Sequence, residues 1–276
     1  MTKLKFYTKF FHGKYYYTLI KSYIYVAACR EKPYFTYFIT FAAKQSYVNN
    51  SSLPFIPLAM LILLVASCKG ENAYKNMREG EIYYNIKYIS NPSSLSADLL
   101  PKELVISFRN DLFNTSLRAP LGNSGITTVI NPRENIFDTY LSILSFKYYY
   151  EGNSKDMQPG FSSMKGMTIH DTGRRSVICG FNCRQARVDF PEAGATRYIW
   201  YTNEIKADQP NRMTPYREVD GVLMDFFYII GKAEMQFTAD EVLVKKIPDK
   251  EFEKKKNYKE VSSKYLDALI LKMISF

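Results

Sequence analysis

Ile82-Tyr83-Tyr84-Asn85-Ile86-Lys87-Tyr88-Ile89 sets Ile82, Tyr84, Ile86 and Tyr88 at alternate positions, with Asn85 and Lys87 between them. A period of two is the mark of a strand with one buried face. The same rhythm runs on from there. The spacing predicts strands over 104–109 and 113–117 around the hairpin-compatible pair Asn110-Asp111, then over 126–130, 136–140 and 144–150. Further strands are predicted over 167–170, 175–179, 183–190, 196–205, 222–230, 234–238 and 241–247. Asn91-Pro92-Ser93-Ser94 ends the first strand, and a helical turn is expected at 97–100. Only 262–274 reads as a helix, capped by Ser262 or Ser263, with Tyr265, Leu266, Leu269, Ile270 and Met273 on one side. The fold class expected is mainly β: an antiparallel curved sheet or half-open barrel of about ten strands with a C-terminal helix.

Composition agrees. The 276 residues are 46% hydrophobic, 23% charged and 16% aromatic, rich in Tyr and Phe, which favours strands and excludes disorder, collagen-like repeats and a multispan membrane protein. The net charge of +10 suggests nucleic acid until it is located. Residues 1–68 hold eight cations and the single anion Glu31, whereas 69–276 hold 29 cations and 26 anions. A nearly neutral domain demands no basic face, so nucleic acid is not expected as a partner.

Upstream of the domain, residues 53–67 form a fifteen-residue stretch without charge. That is short of the ~20 residues of a spanning helix and fits the hydrophobic region of a signal peptide. It ends Val65-Ala66-Ser67-Cys68, which resembles a bacterial lipobox. Cys68 is then the lipidation site, and its acyl chains attach the protein to the membrane. Residues 1–52 carry fifteen aromatics and fit no standard signal peptide. They read as a leader outside the fold, either upstream sequence from a start set too early or a basic segment lying on the membrane surface. The expected organisation is leader 1–52, hydrophobic region 53–67, lipidated tether 68–79 and one β-rich domain 80–276.

Three blocks follow in order: Ile178-Cys-Gly-Phe-Asn-Cys183-Arg-Gln-Ala186, Trp200-Tyr-Thr-Asn-Glu204-Ile205 and Gly221-Val-Leu-Met-Asp-Phe226. Together they resemble the signature blocks of Bacteroidetes envelope proteins of the GLPGLI type, from Gly80 to about Ser263. Asp220-Gly-Val-Leu-Met224 stands where that family carries its Pro-Gly, which marks a divergent relative. The resemblance implies an envelope address, a distantly LolA-like sheet and no established reaction.

The catalytic inventory is short. The chain carries no Gly-x-Ser-x-Gly, no phosphate-binding Gly loop with Lys, and no His-Glu-x-x-His. His170 beside Asp171 is better read as a strand end than as a base, and Lys254-Lys255-Lys256 as a solvated turn. No enzyme, metal or cofactor is expected. Cys179 and Cys183 are the disulfide candidates, provided that 180–182 is a hairpin turn, with free buried thiols as the alternative. The function expected is a non-enzymatic lipoprotein of the outer membrane, on its periplasmic or cell-surface side. It would bind a lipid or other apolar ligand in a groove lined by Tyr84, Ile86, Trp200 and Phe226, against an ordinary β core as the plainer reading of the same residues. The alternative is a structural lipoprotein that docks an envelope protein partner through sheet edges or faces.

Overall fold

The computed structural model describes residues 2–4, 24–26, 74, 76–90, 100–120, 124–190 and 196–275. The chain divides into two compact units, residues 1–68 and 69–276. In the first, β1 (Thr2–Leu4) and β2 (Ile24–Val26) pair antiparallel. The second contains β3 (Glu79–Ser90), β4 (Glu103–Arg109), β5 (Leu112–Arg118), β6 (Ser124–Asn131), β7 (Ile136–Ile143) and β8 (Phe146–Glu151). It continues with β9 (Thr168–Ile178), β10 (Phe181–Asp189), β11 (Thr196–Thr202), β12 (Val222–Ile230), β13 (Ala233–Leu243), β14 (Lys259–Glu260) and the helix α1 (Ser263–Ser275).

All twelve strands of this unit belong to one unclosed sheet, in the order β14-β8-β7-β6-β5-β4-β3-β13-β12-β11-β10-β9. Neighbours are antiparallel except β14, which runs parallel to β8. Inner-face residues from near both ends of that order, Leu141 on β7 and Val188 on β10, join a single core, so the sheet is curved.

The curved, unclosed sheet and its C-terminal helix are as expected, and the strand bounds differ for a physical reason. The segments predicted at 167–170 and 175–179 are one strand, β9, because Asp171 to Arg174 forms a bulge against β10 instead of a turn. A second bulge, at Ala239 to Glu241, unites the two halves of β13 in the same way. Residue 144 does not begin a strand. Leu144 has φ 54 in the two-residue turn that joins Ile143 to Phe146. The break at 91–94 and most of the helical turn expected at 97–100 lie outside the described residues.

Cross-strand rows build the interior. Tyr84, Leu104, Leu117, Ile126 and Leu141 face one another in register across β3 to β7, all buried. On the other side of β3, Ile86 pairs with Phe237 and Phe237 with Phe226. α1 closes over this core with Leu266, Ile270 and Ile274, one per helical turn. Ser262 caps it, its Oγ accepting from the Tyr265 N–H at 3.3 Å.

The opposite face of β4 to β7 is covered as well. After β13 the chain runs as a strap through a short 3-10 turn, Asp249–Phe252. Ile247 and Phe252 pack with Leu112. Arg109 donates to the Ile247 carbonyl, Asn114 to the Glu251 carbonyl, and the Lys255 N–H to the Tyr140 hydroxyl. Lys254 reaches Glu151 at 2.5 Å. The lysine run is therefore partly a clamp, in place of the solvated turn expected there. The packed unit also begins before Gly80. Met77 is buried, the Asn76 N–H donates to the Glu204 carbonyl, and the Lys206 N–H donates to the Met77 carbonyl. Residues 76–79 of the expected tether thus belong to the domain.

Candidate functional site

Cys68 lies outside the described residues. The four groove candidates are described, and none of them lines either of the clefts found among the described residues. Tyr84 and Phe226 are each 1% exposed. Their rings meet edge to face at 5.5 Å, and the Tyr84 hydroxyl donates to the Leu223 carbonyl at 2.8 Å. Phe226 stacks on Phe237 at 5.2 Å, and Phe161 packs on Tyr228 at 4.4 Å. Ile86 and Trp200 are half-buried against the same core. The concave side is filled by the chain itself, by α1 and by Phe161, Met164, Met213 and Tyr216 from the loops. Alternation in a strand marks the inner face. It carries no signal of what fills that face.

Cys179 and Cys183 are free thiols. The turn is Cys179-Gly180, with φ 49 and 80 between the paired residues Ile178 and Phe181. It is a two-residue hairpin of the kind that matches strand twist. The expected turn at 180–182 is thereby moved, and the residue facing Cys183 is Ser176. Cys179 Sγ donates to the Ala239 carbonyl at 3.2 Å, and Cys183 Sγ to the Phe181 carbonyl at 3.4 Å. Burial pushes the two thiols up to about 11 and about 12 respectively.

His170 and Asp171 do not act together. Asp171 is paired with Arg184 and accepts the Gly173 N–H, while His170 stands opposite Arg187. Among the described residues no three His, Cys, Asp or Glu side chains are gathered as metal ligands. No helix among them is long and apolar enough to cross a membrane. Sequence reasoning passed over two carboxylates, Asp138, which is buried, and Asp225, which is half-buried. Asp138 accepts from the Tyr140 hydroxyl at 2.6 Å, and Asp225 accepts from Gln236 and Thr238. Burial holds both above the ordinary aspartate value.

A cleft of about 810 Å³ opens over the loop after β8, the Pro215–Glu218 turn and the first turns of α1. Its apolar lining is Met157, Met164, Met167 and Ile169, with Lys155, Lys165, Arg217 and Lys264 around it. Asp156, Glu218 and Asp267 are the acids there. Asp156 is already engaged by Tyr150 and by two nitrogens of Asn153. Asp267 takes the Gly160 N–H at 2.7 Å. Gly160 has φ 105, and a Cβ there would meet Ile270 Cγ2 at 3.1 Å, so a glycine lets the loop lie against the helix. The Arg217 guanidinium donates to the Lys155 carbonyl at 3.1 Å, which ties the two loops together. A methionine lining adapts to irregular apolar shapes, and cations around it suit a ligand with a polar or anionic end. These residues come from three separate segments, so no spacing in the sequence announces them. A second cleft of about 490 Å³ lies along Asn76–Glu79 and Val244–Lys246.

No protein-family model matches the chain, and no curated protein matches it. Among solved structures the chain is similar to PNGF-II, at 15% identity and a TM-score of 0.44, over 70% of this chain and 32% of that one. It thus spans about a third of that chain's length. It is also similar to LprF from Mycobacterium bovis, at 12% identity and a TM-score of 0.24, over 67% of this chain and 93% of that one.

Proposed function

We propose that the protein is a non-enzymatic envelope lipoprotein, held to the outer membrane by acyl chains on Cys68, whose β domain binds an amphipathic, lipid-like ligand. The site is the cleft between the loop after β8, the Pro215–Glu218 turn and α1. The observation that carries this reading is the cleft's composition, three methionines and Ile169 together with four cations and three acids, two of which are already hydrogen-bonded within the protein. Such a surface accepts an acyl chain and a polar head. The lipobox-like Val65-Ala66-Ser67-Cys68 and the GLPGLI-type blocks support the envelope address.

The test is solvent extraction of the purified full chain followed by mass spectrometry. A stoichiometric lipid is expected, with occupancy reduced at least fivefold in Met167→Asp and Lys264→Glu, where neither side chain is buried. A domain that emerges empty overturns the reading. If a protein co-purifies with that empty domain, the docking alternative takes its place. One observation favours that alternative: β9, eleven residues long, has no second neighbour among the described strands.

A further inference from the structure

Exposed apolar side chains gather at one place that the cleft does not use. The β7–β8 hairpin ends in Leu144, 71% exposed, and Phe146, 60% exposed. Phe146 lies parallel to Tyr148 at 6.5 Å, and Tyr148 meets Tyr265 of α1 edge to face at 6.1 Å. Tyr265 is itself 49% exposed. Two elements distant in sequence thus present one continuous apolar and aromatic surface. Buried aromatics elsewhere in the domain make a core; these face water.

Three lysines lie at this tip. Lys259, which pairs with Tyr148 across the β14–β8 ladder, and Lys264, which precedes Tyr265, border the patch, while Lys147, between Phe146 and Tyr148 on the same strand, projects from the other face of the hairpin. All three are exposed, and none is in an ion pair with a described residue. Lys147 does sit over the Tyr258 ring at 5.7 Å. The acid beside them, Glu260, accepts from the Tyr149 hydroxyl at 3.0 Å. Cations left free around exposed Leu, Phe and Tyr side chains give the composition of a surface that rests in the interface of a bilayer. A protein hot spot would instead want a pocket for its aromatic anchors.

We propose that the β7–β8 tip and the first turn of α1 form a membrane-docking surface for an anionic bilayer, a contact separate from acylation at Cys68. It does not rest on the ligand proposed for the cleft, with which it shares only Lys264. The aromatic and aliphatic tips enter the headgroup layer while the three lysines meet lipid phosphates.

The chain has one tryptophan, Trp200, which makes the depth of the tip measurable. In the full chain carrying Trp200→Phe, the further change Phe146→Trp leaves a single indole at the tip. Reconstituted in phosphatidylcholine–phosphatidylglycerol vesicles, that indole should be quenched at least twofold by brominated acyl chains. Adding Lys147→Glu and Lys259→Glu, neither of which lines the cleft, should abolish the quenching, since each lysine near an anionic surface is worth about fivefold in binding. Tyr265→Trp in the same background repeats the measurement from the helix, and the unmodified chain should report an unquenched Trp200. Three results would overturn the proposal: an indole open to iodide and untouched by bromolipid, one shielded from both by a protein or a second copy, or equal quenching in purely zwitterionic vesicles.

Discussion

Tyr84 shows how much one side chain carries: its ring fills the core against Phe226, and its hydroxyl serves the Leu223 carbonyl. Tyr84→Phe should cost about 1 kcal/mol, the net worth of one hydrogen bond. Phe226→Ala should cost about 3–5 kcal/mol, the usual price of emptying a buried aromatic site. Urea denaturation measures both. Trp200→Ala, at a half-buried site, should fall between these, at about 1–3 kcal/mol. Asp225 gives a pH signature. Burial raises its folded-state value above the ordinary 3.8, so its contribution is fully favourable below 3.8 and is lost as pH rises through the raised value. Asp225→Asn should therefore be more stable than the parent at pH 7, with the advantage vanishing as pH falls towards 4. The Thr238 hydroxyl can turn to accept from the new amide, so the hydrogen bonds survive. The thiols complete this scale. With both held well above their ordinary value, iodoacetamide at pH 8 should leave Cys183 unlabelled until denaturant is added, and peptide mapping would show it.

Among the elements, the strap after β13 is the one that sequence patterning passes over. Period two exposes β3, because Ile82, Tyr84, Ile86 and Tyr88 alternate towards the core and the residues say so. Phe252, Asn114 and Tyr140 carry no such signal, since the strap has no period and its partners lie far away in the chain. Bulges mislead for a related reason: Asp171-Thr172-Gly173-Arg174 has turn chemistry, yet the ladder continues through it. The candidate site was the least legible of all. Tyr84, Ile86 and Phe226 read equally as a groove lining or a β core, and only packing reveals that Met164, Tyr216 and α1 share one cluster with them. Phe252→Ala removes the strap's buried ring. Hydrogen exchange should then quicken over residues 246–260, while β10 to β12 keep their protection. Faster exchange throughout would mean that the strap and the sheet form one cooperative unit.

At the scale of the whole molecule, the Cys68 reading predicts an outcome in cells. Cys68→Ala should shift the protein from the membrane fraction to a soluble or uncleaved species and abolish labelling by a fatty acid. Unchanged labelling would end the lipoprotein reading. A different consequence lies in the place of β3, which sits between β4 and β13 in the sheet. One neighbour follows it closely; the other is paired through contacts such as Ile82 with Val242 and Phe237 with Ile86. As the chain emerges, the β3–β8 meander can zip up by local hairpins, yet one side of β3 stays bare until nearly the whole polypeptide is present. Closing so distant a ladder is slow, on the order of milliseconds to seconds for β-rich topologies. During that interval the bare side is a template for pairing with another copy. A nascent or truncated chain ending before Ala233 should therefore aggregate, which makes the timing of synthesis and export, as much as the finished contacts, a condition for reaching this fold.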